Sequence, residues 1–486
     1  MALDAQSNWF VEMAASLDAA INAANSSRAP RGTQTHWPNS DDTKVQDHQS
    51  GERNVLFRAE AAIHLPDETL FHILEYIQAC PDVSQRTFAS TCLLSQQWYQ
   101  VSVRFLYAHP QLSGRKFTPF VQTICPSKNI HVRGSPLAFL VRTLDMSGLV
   151  HQSSKSTTAR LLGRTKHNLE VFVAPQAGFA MNSFPALSKC FKLQVLDLVL
   201  VSESAPLAEL LRTVVHLKNL HTFLLPRSAG VGAIGPGQTI SAWPPSLVKL
   251  NLSGGINRHL WHDTELPDTL SDVTIEHCPN LTPHNLAEFL VVAIRPLKSL
   301  RRLKLAHLPK LKPWGLNRVL HYVPQLEVFS IDSELVTAAL FDFSLGTRRD
   351  IGKYLYYSDH LGSSAEPEFD FPLGPAAHYN LRVLELTNSG NTPRIEKKII
   401  PMDLILAIDH SFLPSLRKVR VAKSLHWKSY DAIMLSEILE DAAREEWEAD
   451  NWDPPEPGPI QDKEDSSVNL APRMDPDSAG VWKFDG

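Results

Sequence analysis

The sequence predicts an α/β protein in which a short helical unit precedes a repeat solenoid with a parallel sheet on its concave face. Three observations predict this fold. The chain has 486 residues, too many for one ordinary hydrophobic core. From residue 141 onward an apolar-x-x-apolar-x-apolar pattern recurs in steps of mostly 23 to 30 residues, which suit one strand and one returning segment per turn. Before it, HLPDETLFHILEYI at 64–77 has the apolar spacing of an amphipathic helix.

Composition and charge favour a soluble globular protein. Hydrophobic residues make up 43% and charged residues 20%, and a formal net charge of −5 leads us to expect neither a nucleic-acid nor a membrane partner. No apolar run approaches roughly 18 residues and the N-terminus lacks a secretory signal pattern, so we expect no membrane span and no secretion. Five scattered cysteines without a C-x-x-C pair favour the cytosol or nucleus over a disulfide framework or a zinc site.

The first part of the chain divides into a leader and a helical unit. Residues 1–55 are rich in polar turn formers and are expected to be a disordered leader, whereas 56–112 have a helical pattern. Pro66 suits the first turn of a helix because its missing N–H would be unpaired there. A unit of this size has only a small hydrophobic core. We therefore expect it to pack against a partner or against the next domain. Its first helix gathers four apolar residues on one side: Leu70, Ile73, Leu74 and Ile77.

The repeat region is expected over 135–440, with one short strand in each unit. Each strand would turn two apolar residues inward, and the next unit would cover them, so several units must stack. The units that begin at Leu270 and Leu300 also match beyond the strand, at offsets of 8, 11 and 16. The pattern begins at Val141, Leu169, Leu193, Leu220, Leu247, Leu270, Leu300, Leu326, Leu381 and Leu416.

Two segments depart from the repeat. Residues from about 340 to 378 are rich in Gly, Pro and aromatic side chains, and form either a degenerate packed unit, which we favour, or an insertion on one face. A last helix is expected over 432–448. Residues 441–486 are acidic and proline-rich, and are expected to form a solvated tail.

The helical segment resembles the F-box motif. Leu65-Pro66-x-Glu68-x-Leu70-x-x-Ile73-Leu74, then Ala-Ser-Thr-Cys-Leu at 89–93, Trp98 and Phe105-Leu106-Tyr107 carry the resemblance. The unit LSDVTIEHCPNLTPHNLAEFL at 270–290 resembles the cysteine-containing class of leucine-rich repeats, and the whole is similar to fungal F-box proteins with C-terminal leucine-rich repeats. Thr69 departs from the motif, which usually has Ile, Leu or Val there. Most other repeats lack the Asn or Cys expected in the loop, so an irregular leucine-rich-repeat solenoid is expected.

This resemblance implies an interaction role without catalysis. F-box proteins dock on a Skp-family adaptor, which links them to a cullin-RING ubiquitin ligase, and their second domain holds the protein to be ubiquitinated. Such a subunit needs no catalytic residue, metal ion or cofactor. The adaptor-facing or supporting residues implied by position are Leu65, Pro66, Leu70, Ile73, Leu74 and Trp98, with Glu68 at the rim. Simple core packing is the alternative for each of them.

A protein substrate would lie on the sheet face formed by the non-core side chains of each strand. In the predicted register these side chains alternate in charge, with Asp272 beside Arg302. The favoured explanation is a cross-strand ion pair of at most about 1 kcal/mol, and the alternative is a mixed-charge recognition surface centred on 270–332. The candidate substrate contacts are Lys249, Asp272, Glu276, Arg302, Lys304 and Asp332.

Two further motifs carry little weight. Gly230-Val-Gly-Ala-Ile-Gly235 matches the dinucleotide-binding pattern, but Pro236 follows where a helix should begin, so a loop is favoured. His259, His262 and Asp263 lack a second set of metal ligands. Two alternatives to a ligase subunit stay open: a repeat scaffold whose F-box-like helices only cap the solenoid, and, remotely, a dinucleotide-dependent enzyme.

Overall fold

The computed structural model forms two compact units. The first holds the chain up to Gln111 together with Gln122–Thr143, and the second holds Leu112–Val121 and everything from Leu144. Three parts of the sequence discussed above lie outside the described residues. They are the predicted leader at 1–55, residues 342–378 of the irregular segment, and the residues of the glycine and histidine motifs at 230–235, 259, 262 and 263. The structure describes residues 65–80, 85–127, 134–149, 153–203, 206–227, 242–256, 260, 265–311, 316–341, 379–388, 399–450 and 479–484.

Three helices form the part of the first unit that precedes Gln111: α1 (Asp67–Ala79), α2 (Gln85–Thr91) and α3 (Gln96–Ala108). Helix α1 begins directly after Pro66, which is the N-cap residue and not part of the first turn, and Asp67 and Glu68 lie in that first turn as predicted. The Ser95 side chain caps α3 by accepting a hydrogen bond from the Trp98 backbone N–H at 3.2 Å. Pro66 and the Ser95 cap thus mark the starts of the two longer helices.

The three helices enclose a small core of their own. Its buried members are Leu70, Leu74, Phe88, Val101 and Phe105. The rings of Phe88 and Phe105 stack with centroids 5.7 Å apart. All three helices therefore contribute buried side chains to this core.

The second unit is built on one sheet of eleven strands, paired in chain order from β1 to β11. The pairings from β2 to β11 are parallel throughout. This order confirms the predicted α/β repeat fold, because each strand pairs with the strand of the next unit. The strands are β1 (Thr143–Asp145), β2 (Val171–Val173), β3 (Val195–Asp197), β4 (Thr222–Leu224), β5 (Lys249–Leu252), β6 (Asp272–Glu276), β7 (Arg302–Ala306), β8 (Val328–Asp332), β9 (Val383–Thr387), β10 (Lys418–Ala422) and β11 (Gly480–Phe484).

The repeat pattern locates the strands closely. Each of β1 to β10 starts two residues after one of the ten pattern positions, from Val141 to Leu416. All ten of those leading side chains are buried, as are the apolar residues three and five positions later. The pattern thus marks the inward side of every strand it predicts.

The last strand corrects the expectation of a tail that runs to residue 486. Gly480–Phe484 form β11, which pairs in parallel with β10 and starts with Lys418 opposite Gly480. The strand has no leucine in the leading position, so the repeat pattern does not reach it.

The returning segments are uneven, as the irregular solenoid predicts, and range from four-residue turns to a long final helix. That final helix is longer at both ends than the predicted 432–448, and Glu446 in it accepts hydrogen bonds from Arg382 and Arg417, both at 2.9 Å. It is thereby tied to the residues that precede β9 and β10. The remaining helices are α4 (Phe117–Ile124), α5 (Lys155–Thr165), α6 (Phe184–Leu187), α7 (Leu207–Val214), α8 (Pro283–Phe289), α9 (Val319–Tyr322), α10 (Pro401–Asp409) and α11 (Ser429–Asp450). Within the described ranges, no helix has the length and apolarity to cross a membrane.

Candidate partner-binding surfaces

The helical unit exposes large apolar side chains beside its closed core. Ile73 is 37% exposed, Tyr76 76%, Leu93 87% and Leu94 64%. Leu93 and Leu94 lie in the turn between α2 and α3, which is held by backbone hydrogen bonds from their N–H groups to Ser90 and Thr91. Large apolar side chains exposed to solvent are candidates for contact with a partner, and these four are the candidates in the helical unit.

The predicted adaptor residues fall on both sides of this division. Leu70 and Leu74 have no exposed area and pack in the core, so they can support an adaptor surface but cannot form it. Ile73, Pro66 and Glu68 are exposed.

The start of α1 is held from α3. The Gln97 side-chain amide donates hydrogen bonds to the Leu65 carbonyl at 2.7 Å and to the Asp67 carboxylate at 2.8 Å. Leu65 and Trp98 are half-buried and pack against the core. The Leu65-Pro66 entry to α1 therefore has a defined position.

Sequence reasoning missed Tyr76, Leu93 and Leu94, the most exposed of these apolar residues. Tyr76 lies outside the apolar stripe of α1. The signal for the two leucines was their place immediately before Ser95, a residue typical of a helix start, because connections between helices usually lie on the surface.

The second surface is the outer face of β5 to β8, formed by the strand side chains that alternate with the apolar core residues. Lys249, Asp272 and Arg302 lie opposite one another on three neighbouring strands. The Asp272 carboxylate is 3.5 Å from the Arg302 guanidinium and 3.7 Å from the Lys249 ammonium. The cross-strand pair predicted for Asp272 and Arg302 is therefore present.

Glu276 at the end of β6 is the centre of a second charged group. Its carboxylate accepts a hydrogen bond from the Asn251 amide at 3.0 Å and lies 3.4 Å from Arg227 and 3.6 Å from Lys304. Burial raises the pKa of this carboxyl, but the Asn251 hydrogen bond and the charges of Lys304, Arg227 and His277 outweigh it and hold the pKa below its usual value. The ionised carboxylate of Glu276 is therefore stabilised by its neighbours, and its side chain is 9% exposed.

Asp332 corrects the predicted set of substrate contacts. Its side chain is 2% exposed, and its oxygens accept hydrogen bonds from the His307 backbone N–H and the Thr387 hydroxyl, both at 2.6 Å. These bonds join β8 to the loop after β7 and to the end of β9. Asp332 is thus occupied within the fold and is not presented on the outer face.

A histidine pair lies at the carboxyl ends of β6 and β7. The rings of His277 and His307 stack with centroids 4.5 Å apart, and both backbones are left-handed, with φ of 53° and 51°. Burial, together with the charges of Arg227 and His307, lowers the pKa of His277. A neutral His277 ring suits this stack at neutral pH.

Arg227 was also missed from the sequence, because it follows β4 outside the strand pattern. Only the structure brings it to Glu276, which lies 49 positions later. Among the described residues, no group of three or more His, Cys, Asp and Glu side chains is placed to hold a metal ion.

Comparison with known proteins identifies related chains from two yeasts, while no family model matches. The chain is 26% identical over 378 residues to Protein pof5 of Schizosaccharomyces pombe, across 77% of this chain and 96% of that protein. It is 31% identical over 352 residues to the F-box protein YDR306C of Saccharomyces cerevisiae, across 72% of this chain and 66% of that protein.

Among solved structures, an internalin (inlF) from Listeria monocytogenes aligns with 66% of this chain and 90% of its own, at 14% identity and a TM-score of 0.30. The fold assignment does not depend on that likeness, because the parallel strand order of this chain is sufficient for it. The chain has F-box-like helices followed by repeat strands, and its relatives are fungal proteins, one of them named an F-box protein. It therefore belongs to the fungal F-box proteins with C-terminal leucine-rich repeats.

Proposed function

We propose that this chain is the substrate-recognition subunit of a Skp-cullin-F-box type ubiquitin ligase, acting in the cytosol or nucleus. The helical unit docks on a Skp-family adaptor, and the outer face of the repeat sheet holds a protein substrate. The chain itself supplies no catalytic group. It raises the effective concentration of a substrate lysine near the ubiquitin carrier, which is a contribution of proximity alone.

The observation that supports adaptor docking is the apolar surface left beside a closed core. Leu70, Leu74 and Phe105 already fill the interior of the helical unit, yet Tyr76, Leu93 and other large apolar side chains remain exposed. Burying one such side chain against a partner contributes roughly 1.5–3 kcal/mol. Several together can offset the entropy lost on association, which is the energetic requirement for a stable dock.

The test is binding of the purified full chain to a purified Skp-family adaptor. Replacing Leu93 and Leu94 together by Asp places two charges in the proposed interface without touching the core. We expect binding to be lost, because a charge facing an apolar surface must be desolvated. Circular dichroism should show an unchanged fold, since both side chains are exposed.

The matched control is Leu200→Asp, which changes an exposed leucine of the repeat unit in the turn after β3. We expect this variant to bind the adaptor as the wild type does. If the wild-type chain shows no adaptor binding at all, the repeat scaffold without ligase linkage is the correct function instead.

A further inference from the structure

We propose that the outer face of β5 to β8 binds an extended, acidic segment of a partner protein, with carboxylates at alternate positions of that segment. The inference deepens the proposed function and rests on it, because the acidic segment would be the recognised part of the substrate. Four steps lead to this partner chemistry.

The first step is the exposure of the charges. Side chains of the four cations in the two charged groups are 41–56% exposed, whereas the carboxylates of Asp272 and Glu276 are 15% and 9% exposed. A partner therefore meets a layer of ammonium and guanidinium groups with the acids beneath them. Such a layer attracts anions and repels basic segments. The cations are Arg227, Lys249, Arg302 and Lys304.

The second step is that two carboxylates serve four cations. Asp272 lies between Lys249 and Arg302, and Glu276 lies between Arg227 and Lys304, at distances of 3.4–3.7 Å. Close charge-assisted hydrogen bonds are about 2.7–2.9 Å, so these pairs are loose. Each cation keeps donors for a further acceptor, and the four cations outnumber the two carboxylates that form these ion pairs.

The third step is the spacing. Arg302 and Lys304 are two residues apart on β7 and share one face, so their backbones are separated by about 6.6 Å along the strand. Side chains i and i+2 of an extended peptide have the same separation. A segment lying along β7 with acidic residues at alternate positions therefore reaches both cations at once.

The fourth step is a pair of buried polar atoms without partners. The Ser330 hydroxyl and the Asn251 carbonyl oxygen make no hydrogen bond, although Ser330 is 3% and Asn251 7% exposed. Ser330 lies opposite Lys304 on β8, and Asn251 lies in the same row on β5. One is a donor and the other an acceptor, so this row contains two polar atoms whose hydrogen bonds are unmet in the unbound chain.

The experiment measures fluorescence anisotropy of labelled peptides of about ten residues with the full chain. One peptide alternates Ser with Glu, a second has the same composition with its Glu residues in one block, and a third replaces every Glu by Gln. We expect the alternating peptide to bind at least about fivefold tighter than the block peptide, and added salt to weaken it. The Gln peptide should not bind.

The variant that tests the site is R302E with K304E, which we expect to weaken the alternating peptide at least about tenfold. R302Q with K304Q removes the two charges without adding repulsion, and it should weaken binding of the alternating peptide about threefold or more. This second variant keeps the test valid if the charge reversal in R302E with K304E disturbs folding. R212E is the matched control, because Arg212 is an exposed, paired arginine on α7, and its binding should stay at the wild-type value.

Equal affinity for all three peptides, or binding unchanged in both double variants, would overturn the inference. So would a dimer of the chain that R302E with K304E dissolves, because the face would then belong to a second copy. Adaptor binding is measured on the same samples. If the wild-type chain binds the adaptor but not the alternating peptide, only this inference is rejected. If the wild-type chain does not bind the adaptor, the proposed function is rejected.

Discussion

Replacing Asp332 by Ala should destabilise the repeat unit strongly, because this carboxylate joins three consecutive strands. It accepts the His307 backbone N–H and the Thr387 hydroxyl at 2.6 Å each, and its side chain is 2% exposed. A hydrogen bond to a charged group contributes about 1.5–3 kcal/mol, and a buried donor left without an acceptor costs about 1–3 kcal/mol. The His307 N–H loses its acceptor, whereas the half-buried Thr387 hydroxyl can turn to water, so we expect a total loss of about 3 kcal/mol.

The assay is urea unfolding of the full chain followed by circular dichroism. Asp332→Asn keeps one carbonyl acceptor and should lose about half as much free energy of unfolding as Asp332→Ala. Thr387→Val removes only one of the two contacts, so combining it with Asp332→Ala should add less than the sum of the single effects. A free energy of unfolding for Asp332→Ala within about 0.5 kcal/mol of the wild type would refute this reasoning.

Three further predictions follow from single contacts. Glu446→Gln should lower the free energy of unfolding by about 1–3 kcal/mol and speed hydrogen exchange in α11, because Arg382 and Arg417 lose their shared carboxylate; unchanged exchange would contradict this. The pKa of Glu276 is lower in the folded chain than its value of about 4.3 in the unfolded chain, so ionised Glu276 stabilises the fold at higher pH, and this stabilisation is lost as pH falls through the folded-state pKa. The difference in free energy of unfolding between the wild type and Glu276→Gln should therefore narrow between about pH 5 and pH 3. A difference that stays constant over this range would contradict the prediction. Burial raises the pKa of the Cys190 and Cys278 thiols to about 12, so iodoacetamide at about pH 8 should label them only after unfolding, and rapid labelling of the native chain would show that they are not buried.

The strand positions were predictable because each repeat buries the same apolar positions. Leu247, Leu250 and Leu252 illustrate this, since a leading leucine and two alternating inward residues mark β5 as one more copy of the recurring pattern. Strand β11 was not predictable by the same means, because Gly480–Phe484 carry no leading leucine and pair with β10 only through the tertiary fold.

The candidate sites were predictable only in part. Helical spacing identified the side of α1 that carries Leu70, Ile73 and Leu74, but the packing of α2 and α3 decides that Ile73 is exposed while the other two are buried. Strand alternation placed Asp332 on the outer face, yet a backbone N–H from a separate loop draws it into the fold. Contacts between distant segments therefore determine which residues of a predicted face remain available to a partner.

The most direct test of adaptor docking is hydrogen exchange of the full chain, read by mass spectrometry with and without a purified Skp-family adaptor. The adaptor should slow exchange in peptides that contain Ile73, Tyr76, Leu93 and Leu94, and leave β5 to β8 unchanged. No protection in the helical unit, or protection confined to the repeat strands, would contradict the proposal that this exposed apolar surface is the adaptor site.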